Sequence, residues 1–357
     1  PALATHNVGR SRTVRMARGP AFFTEAYLHA PAMKLHRRMA AALYTCAFLS
    51  GVGCANGPSV EGSFDRSYTV TGHTRLDVST ASGDVTVTGS ADGKVHVHGD
   101  VKASGSGQQD AQKRLSDIEG NPPIEQTPES LRIGRDALRL HDVSITYTVE
   151  APLDTEVSGT TASGSLTVRG IKGPVRLQSA SGSVHAQDIQ GEAQLASNSG
   201  AVAAANMGAV VRASSDSGDV SINDAKGDVR AKDESGNINI SGPGSRVEAE
   251  NTSGNVEVQG VTSDAKAHSV SGNVAVRGNP SANSYWDLKT ISGSAAIGIA
   301  SGSNFHLLAE STSGEIRADI PIIIEEQGKH SLRAQIGAGG GRVEVHTVTG
   351  EIHLAPF

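Results

Sequence analysis

Aliphatic residues recur on a fixed rhythm through the middle of this chain. Leu166, Val184, Val202, Val220, Ile238, Val256 and Val274 stand 18 residues apart, and Val168, Ala186, Ala204, Ile222, Ile240, Val258 and Val276 follow two places later. Polar or small residues separate the two sets, so the local period is two, that of a strand with one buried face. Nine residues after the first set come Val175, Ala193, Val211, Val229, Val247 and Ala265, each with an apolar residue two places further on (Leu177, Leu195, Ala213, Ala231, Ala249, Ala267). Each unit therefore predicts two short strands. A unit this small cannot bury its apolar face alone and must stack on its neighbours. Ile171, Ile189, Met207, Ala225 and Val261 predict a plug at one corner.

The turns carry the same rhythm. Ser-Gly pairs place Gly164, Gly182, Gly200, Gly218, Gly236, Gly254 and Gly272 at 18-residue intervals; the interval widens to 21 at Gly293 and Gly314, Gly350 follows an insertion, and Gly83 belongs to an early copy. These glycines are expected to turn the corners with positive φ, and the serines to line up as a hydroxyl ladder. The expected fold is all-β: a single-chain β-solenoid, β-helix-like or β-roll-like, of about ten coils of 18 to 21 residues. The solenoid domain is expected over 66–357, with regular coils at 154–278 and irregular coils plus a C-terminal cap at 279–357. An inserted helix and loop is placed at 104–125, because Ala111, Leu115 and Ile118 have helical spacing and Gly120 and Pro122-Pro123 stop the run.

Composition fits a narrow interior. Aromatic residues make up 3% of the 357 residues and hydrophobic residues 37%, too little for a conventional core of this length. The net charge of −6 and the absence of a Lys/Arg cluster along the repeats argue against nucleic acid as a partner.

Ahead of the repeats, Met33 to Arg38 is basic and the run from Met39 to Gly53 is apolar but shorter than the roughly 20 residues of a spanning helix. Residues 33–53 therefore read as a signal peptide, 1–32 as an upstream segment outside the mature protein, and 54–65 as a flexible tether. Gly51 and Gly53 before Cys54 resemble a bacterial lipoprotein box, although that pattern prefers Leu where Gly51 stands. The expectation is lipidation at Cys54, with cleavage elsewhere as the alternative. Export would leave Cys54 as the single cysteine and no intramolecular disulfide. The expected location is the cell envelope, lipid-anchored at an outer membrane on its periplasmic or surface face, with the membrane a partner through the lipid.

The stretch Val143-Ser-Ile-Thr-Tyr-Thr-Val-Glu-Ala-Pro152, then Thr155 to Gly170 with its Ser-Gly-x-aliphatic-x-aliphatic layout and its repeats, resembles the bacterial putative-adhesin family of unknown function, akin to head-GIN auto-transporter adhesin-like domains. The resemblance covers roughly residues 70 to 357. It implies an exported, lipid-anchored β-solenoid with no established catalysis, and it carries over no functional residue.

Chemistry-bearing residues are sparse. The hexapeptide acyltransferase helix needs an aliphatic residue every six positions, and Lys172 and Gln178 occupy the sixth and twelfth after Leu166. Asp188, Asp224 and Asp233 echo the rhythm of a calcium β-roll, without its paired glycines. Asp216, Asp219, Asp233 and Glu234 are the weak candidates for a divalent ion, a solvated turn being the simpler reading. Two acids flanking a bond would also suit glycoside hydrolysis, which leaves a polysaccharide-modifying enzyme as one alternative and an envelope-stress sensory or assembly module as another. His96 and His98 share a strand face but lack a third ligand. Arg212, Arg230, Glu248 and Lys266, with Lys232, Glu250 and His268 beside them, predict cross-coil ion pairs; Asn237, Asn255 and Asn273 predict an amide ladder. The expected function is a non-catalytic envelope or surface scaffold, an adhesin-like binder of polysaccharide or protein, without a cofactor.

Overall fold

The computed structural model describes residues 57–70, 72, 74–134 and 142–357. In each 18-residue unit the two alternating stretches form two strands, and equivalent strands of successive units pair in parallel and in register. Val184, for example, stands between Leu166 and Val202, and Ala193 between Val175 and Val211. Two sheets result among the described residues, one of 14 strands and one of 15. Their inner faces carry the aliphatic columns, every member of which from Leu166 to Val274 is buried. The fold is an all-β solenoid with one short helix, Gln108–Gly120, among the described residues.

No Phe, Trp or Tyr occurs between Asp154 and Gly278, where facing Val and Ala columns leave no room for a ring. Large side chains enter at the two ends instead. Phe64 packs edge-on against Tyr147 at 6.4 Å, and Trp286 and Phe305 are fully buried on the other side. Trp286 takes the place beside Ala265, and its Nε1 donates to the Ser263 carbonyl at 2.7 Å.

Two glycine requirements separate that the sequence had merged. Positive φ belongs to a corner just before the plug column, where Gly170, Asp188, Asn206, Asp224, Gly242 and Gly260 all lie between 55° and 83°. Asp188 and Asp224 are thereby accounted for as left-handed corner residues, a role short polar side chains tolerate, and Asn206 Nδ2 donates to Asp188 Oδ1 at 2.9 Å. In the Ser-Gly column only Gly83, Gly164 and Gly350 have positive φ. The column needs glycine for another reason, because a Cβ would strike the backbone of the next layer. At Gly182 it would lie 1.7 Å from the Gly164 carbonyl oxygen, at Gly200 2.2 Å from that of Gly182, and at Gly254 1.9 Å from that of Gly236.

Stack order departs from chain order at the C-terminal end. The strand Tyr285–Ser292 pairs with Gly341–Thr349, and that strand in turn pairs with Phe305–Ser311. In the other sheet Ile352–Pro356 lies between Ala295–Ile299 and Ile316–Ala318. The glycine column follows: a Cβ at Gly350 would meet Gly293, and one at Gly314 would meet Gly350. The outermost rows are the antiparallel hairpin Ile323–Gln327 with Ser331–Ile336, laid on Phe305–Ser311.

At the other end the strands Ser59–Thr69, Lys94–Ser104 and Val143–Pro152 pair antiparallel, and the helix packs on the first two through Ala111, Leu115 and Ile118. This corrects the expected tether at 54–65: from Ser59 onward it is strand, held by Phe64 in the core and by eleven paired positions along Lys94–Ser104. The expected upstream segment at 1–32, the expected signal peptide at 33–53 and the lipidation candidate Cys54 lie outside the described residues.

Candidate functional site

Strand alternation sends every second side chain outward, and in-register stacking aligns these into columns. On the 15-stranded sheet one outer column runs Arg176, Gln194, Arg212, Arg230, Glu248, Lys266 and a second runs Gln178, Ala196, Ser214, Lys232, Glu250, His268. Lys266 Nζ donates to Glu248 at 2.9 Å and also binds Glu250. Arg230 pairs with Glu248 at 3.4 Å, and Arg212 pairs with Glu192. The Lys266 ammonium holds the Glu248 carboxyl below its ordinary pKa. His268 meets Asp287 at 3.0 Å, yet burial outweighs that neighbour and lowers its pKa. Cross-coil ion pairs therefore form, but they do not consume all the cations: Arg176 and Lys232 lie within 4 Å of no acid among the described residues. These strands enclose a trough of about 400 Å³.

The acidic candidates divide between two environments. Asp216 and Glu234 are exposed on adjacent coils of one corner, and Asp219 is exposed on the neighbouring column. Asp219 is committed to the backbone: its Oδ1 accepts from Asn237 N at 2.8 Å. Asn237 Oδ1 accepts from Asn255 N at 3.1 Å, Asn255 Oδ1 from Asn273 N at 2.9 Å, and Asn273 Oδ1 from Ser294 N at 2.8 Å. The expected amide ladder is thus a staircase of side-chain oxygens on the main chain of the next coil. Asp233 is buried, 1% exposed. Among the described residues no three His, Cys, Asp or Glu side chains converge to hold a metal ion. His96 and His98 each bind their own acids, His96 with Asp92 at 2.6 Å and His98 with Asp65 at 2.8 Å, and the Asp65 hydrogen bond raises the pKa of His98.

The hydroxyl ladder lies two residues before each Ser-Gly pair rather than in it. Ser197 Oγ donates to the Gly182 carbonyl at 2.9 Å and accepts from Gly200 N at 2.9 Å. Ser179, Ser215 and Ser269 each donate to the glycine carbonyl 15 residues earlier in the same way, and Asn251 does so through Nδ2 at 2.6 Å. Asp233 occupies this column. Its Oδ1 accepts from Ser235 N at 3.2 Å, whereas its Oδ2 has no partner. Burial raises its pKa against the backbone N–H groups that would lower it. The signal was present in the sequence as one acid in an 18-residue column of donors, and reading Asp233 with the surface acids hid it.

Two consecutive segments, residues 142–250 and 245–355, match the profile of the family described as Toastrack DUF4097. The chain belongs to that family. The toastrack match spans the regular coils and the rearranged C-terminal layers alike, and it agrees with the resemblance to an adhesin-like family of unknown function. Two solved structures are remotely similar. A Clostridium sporogenes protein described as a "putative cell adhesion protein" is 11% identical with a TM-score of 0.22, covering 84% of this chain and 100% of that one. A Parabacteroides distasonis protein described as a "putative lipid binding protein" is 14% identical with a TM-score of 0.42, covering 66% and 96%. No curated protein matches the toastrack chain.

Proposed function

We propose that this toastrack protein is a non-catalytic scaffold of the cell envelope, exported and tethered by a lipid on Cys54, that binds macromolecules through its outer columns. The observation supporting this is the geometry of the 15-stranded sheet. Polar side chains repeat there at one strand spacing, about 4.8 Å, over consecutive coils, which suits a ligand that is itself extended and repetitive. Immobilised protein is expected to retain isolated envelope glycans or whole cells. Retention of neither would refute the scaffold reading. The tether is tested apart from it: Cys54→Ser should move the protein out of the membrane fraction, and unchanged partitioning would refute lipidation.

A further inference from the structure

Arg176, Arg212 and the pair Arg230 and Lys232 lie on three strands of four consecutive layers, up to three coils apart along the chain, and the stack gathers them around one trough on the outer face of the 15-stranded sheet. The sequence shows no basic cluster; in-register pairing makes one. Two acids, Glu248 and Glu250, border the same trough, and both are already held by Lys266. Five cations, Lys266 included, stand against the three acids Glu192, Glu248 and Glu250, which leaves an excess of two positive charges on a chain whose net charge is −6. Arg176 and Lys232, one toward each end, have no acid within 4 Å among the described residues. Arg212 and Arg230 are engaged in exposed pairs with Glu192 and Glu248; such pairs are weak in water and are readily exchanged for another anion.

We infer that this trough binds a linear acidic polysaccharide, with carboxylates on the cations and sugar hydroxyls on Gln178, Gln194 and Ser214. The inference rests on the scaffold reading and names its ligand class. Arginines one coil apart, about 4.8 Å, offer forked donors that match carboxylates, and a polymer with recurring charges meets them repeatedly. The neutral amide and hydroxyl side chains between the cations suit a ligand rich in hydroxyls. No aromatic ring lines the trough, so a nucleobase has nothing to stack on. The trough is open and its bed is small where Ala196 lies, which leaves no pocket for the buried anchor of a protein partner.

The probe is polygalacturonate, titrated into the full chain at low salt, with neutral dextran and single-stranded DNA as comparators. Polygalacturonate should bind, and its log affinity should fall with log salt. Dextran should not bind, and DNA should bind at least ten-fold more weakly. The double variant Arg176→Ser/Lys232→Ser should lose at least ten-fold in affinity. Ser214→Glu, which puts a negative charge in the bed, should lose as much, while Lys329→Ser, remote from the trough, should bind as the wild type does. No binding of polygalacturonate, unchanged affinity in both trough variants, or DNA binding as tight as polygalacturonate would overturn the inference. If the double variant still retains whole cells, the trough is refuted and the scaffold reading stands.

Discussion

Replacing Asp233 by Asn should stabilise the protein at neutral pH. In the wild type Ser179, Ser197, Ser215 and Ser269 donate to the glycine carbonyl of the layer before, and Asn251, one coil on from Asp233, shows how an amide does so: Nδ2 donates to Gly236 O at 2.6 Å while Oδ1 accepts from Ser253 N at 3.0 Å. Asp233 reproduces the second bond, from Ser235 N at 3.2 Å, but its buried Oδ2 is unpartnered. When ionised it has no proton to offer the Gly218 carbonyl. A buried polar atom left without a partner costs about 1 to 3 kcal/mol, more when charged, so the isosteric amide should gain about 1 to 2 kcal/mol at pH 8. The gain must depend on pH. Because the folded-state pKa of Asp233 is raised, its neutral form contributes stability in full below the unfolded value of about 3.9 and forfeits it as pH climbs through the folded value. In acid the carboxylic acid can donate as Asn does, and the two proteins should converge. Urea midpoints of wild type and Asp233→Asn at pH 4 and pH 8, with m-values checked for equality, measure both terms. A variant less stable than wild type at pH 8, or a difference that does not change with pH, would refute the protonated-acid account.

The glycine column gives a second expectation: Gly254→Ala should destabilise by about 3 kcal/mol, since its Cβ would sit 1.9 Å from the Gly236 carbonyl oxygen and only a separation of layers relieves it. Gly120→Ala, with nothing within 4 Å, should be neutral or slightly stabilising in the same melts. Trp286, the single tryptophan, should emit as a buried indole and shift to the red as the surrounding layers unfold; Trp286→Ala should cost about 3 to 5 kcal/mol by circular dichroism, and a loss below 1 kcal/mol would contradict its packing. Removal of residues 341–357 should leave Tyr285–Ser292 and Phe305–Ser311 without their shared neighbour and yield aggregates on size exclusion. A monomer with the wild-type melting midpoint would show that the intervening layer is dispensable.

The regular coils were legible because a parallel in-register stack turns space into arithmetic: positions 18 apart become neighbours, so Leu166, Val184 and Val202 announce one column. The same arithmetic predicted the ion pairs of Lys266 and the Asn237 staircase. It failed where pairing ceases to be sequential. Nothing in the spacing of Gly293, Gly314 and Gly350 says that the third glycine lies between the first two, because any of the three layers has the same alternation and the same corner. Ser59–Thr69 was hidden for a related reason, since its one partner among the described residues, Lys94–Ser104, runs antiparallel and only Phe64 among its eleven residues is buried. The trough was missed because Arg212, Arg230 and Lys232, though aligned by column, were read as partners in ion pairs, and Arg176 was left out of the column. Asp233 was misread because an acid next to Glu234 looks like surface charge until its column is consulted.

Translation gives the C-terminal arrangement a temporal side. The ribosome releases Tyr285–Ser292 and Phe305–Ser311 well before Gly341–Thr349, yet the last of these must enter between the other two. A nascent solenoid can grow coil by coil from Leu166 to Gly278 with each row adding to a finished edge. Beyond that point two rows must wait apart, their edges unsatisfied, or pair wrongly and be prised open. Val343, Val345, Ile352 and Leu354 then act as a closing wedge, as Val143–Pro152 does at the other end, where it lies between Val85–Ser90 and Lys94–Ser104, so the out-of-order steps of assembly fall at the two ends of the repeat array.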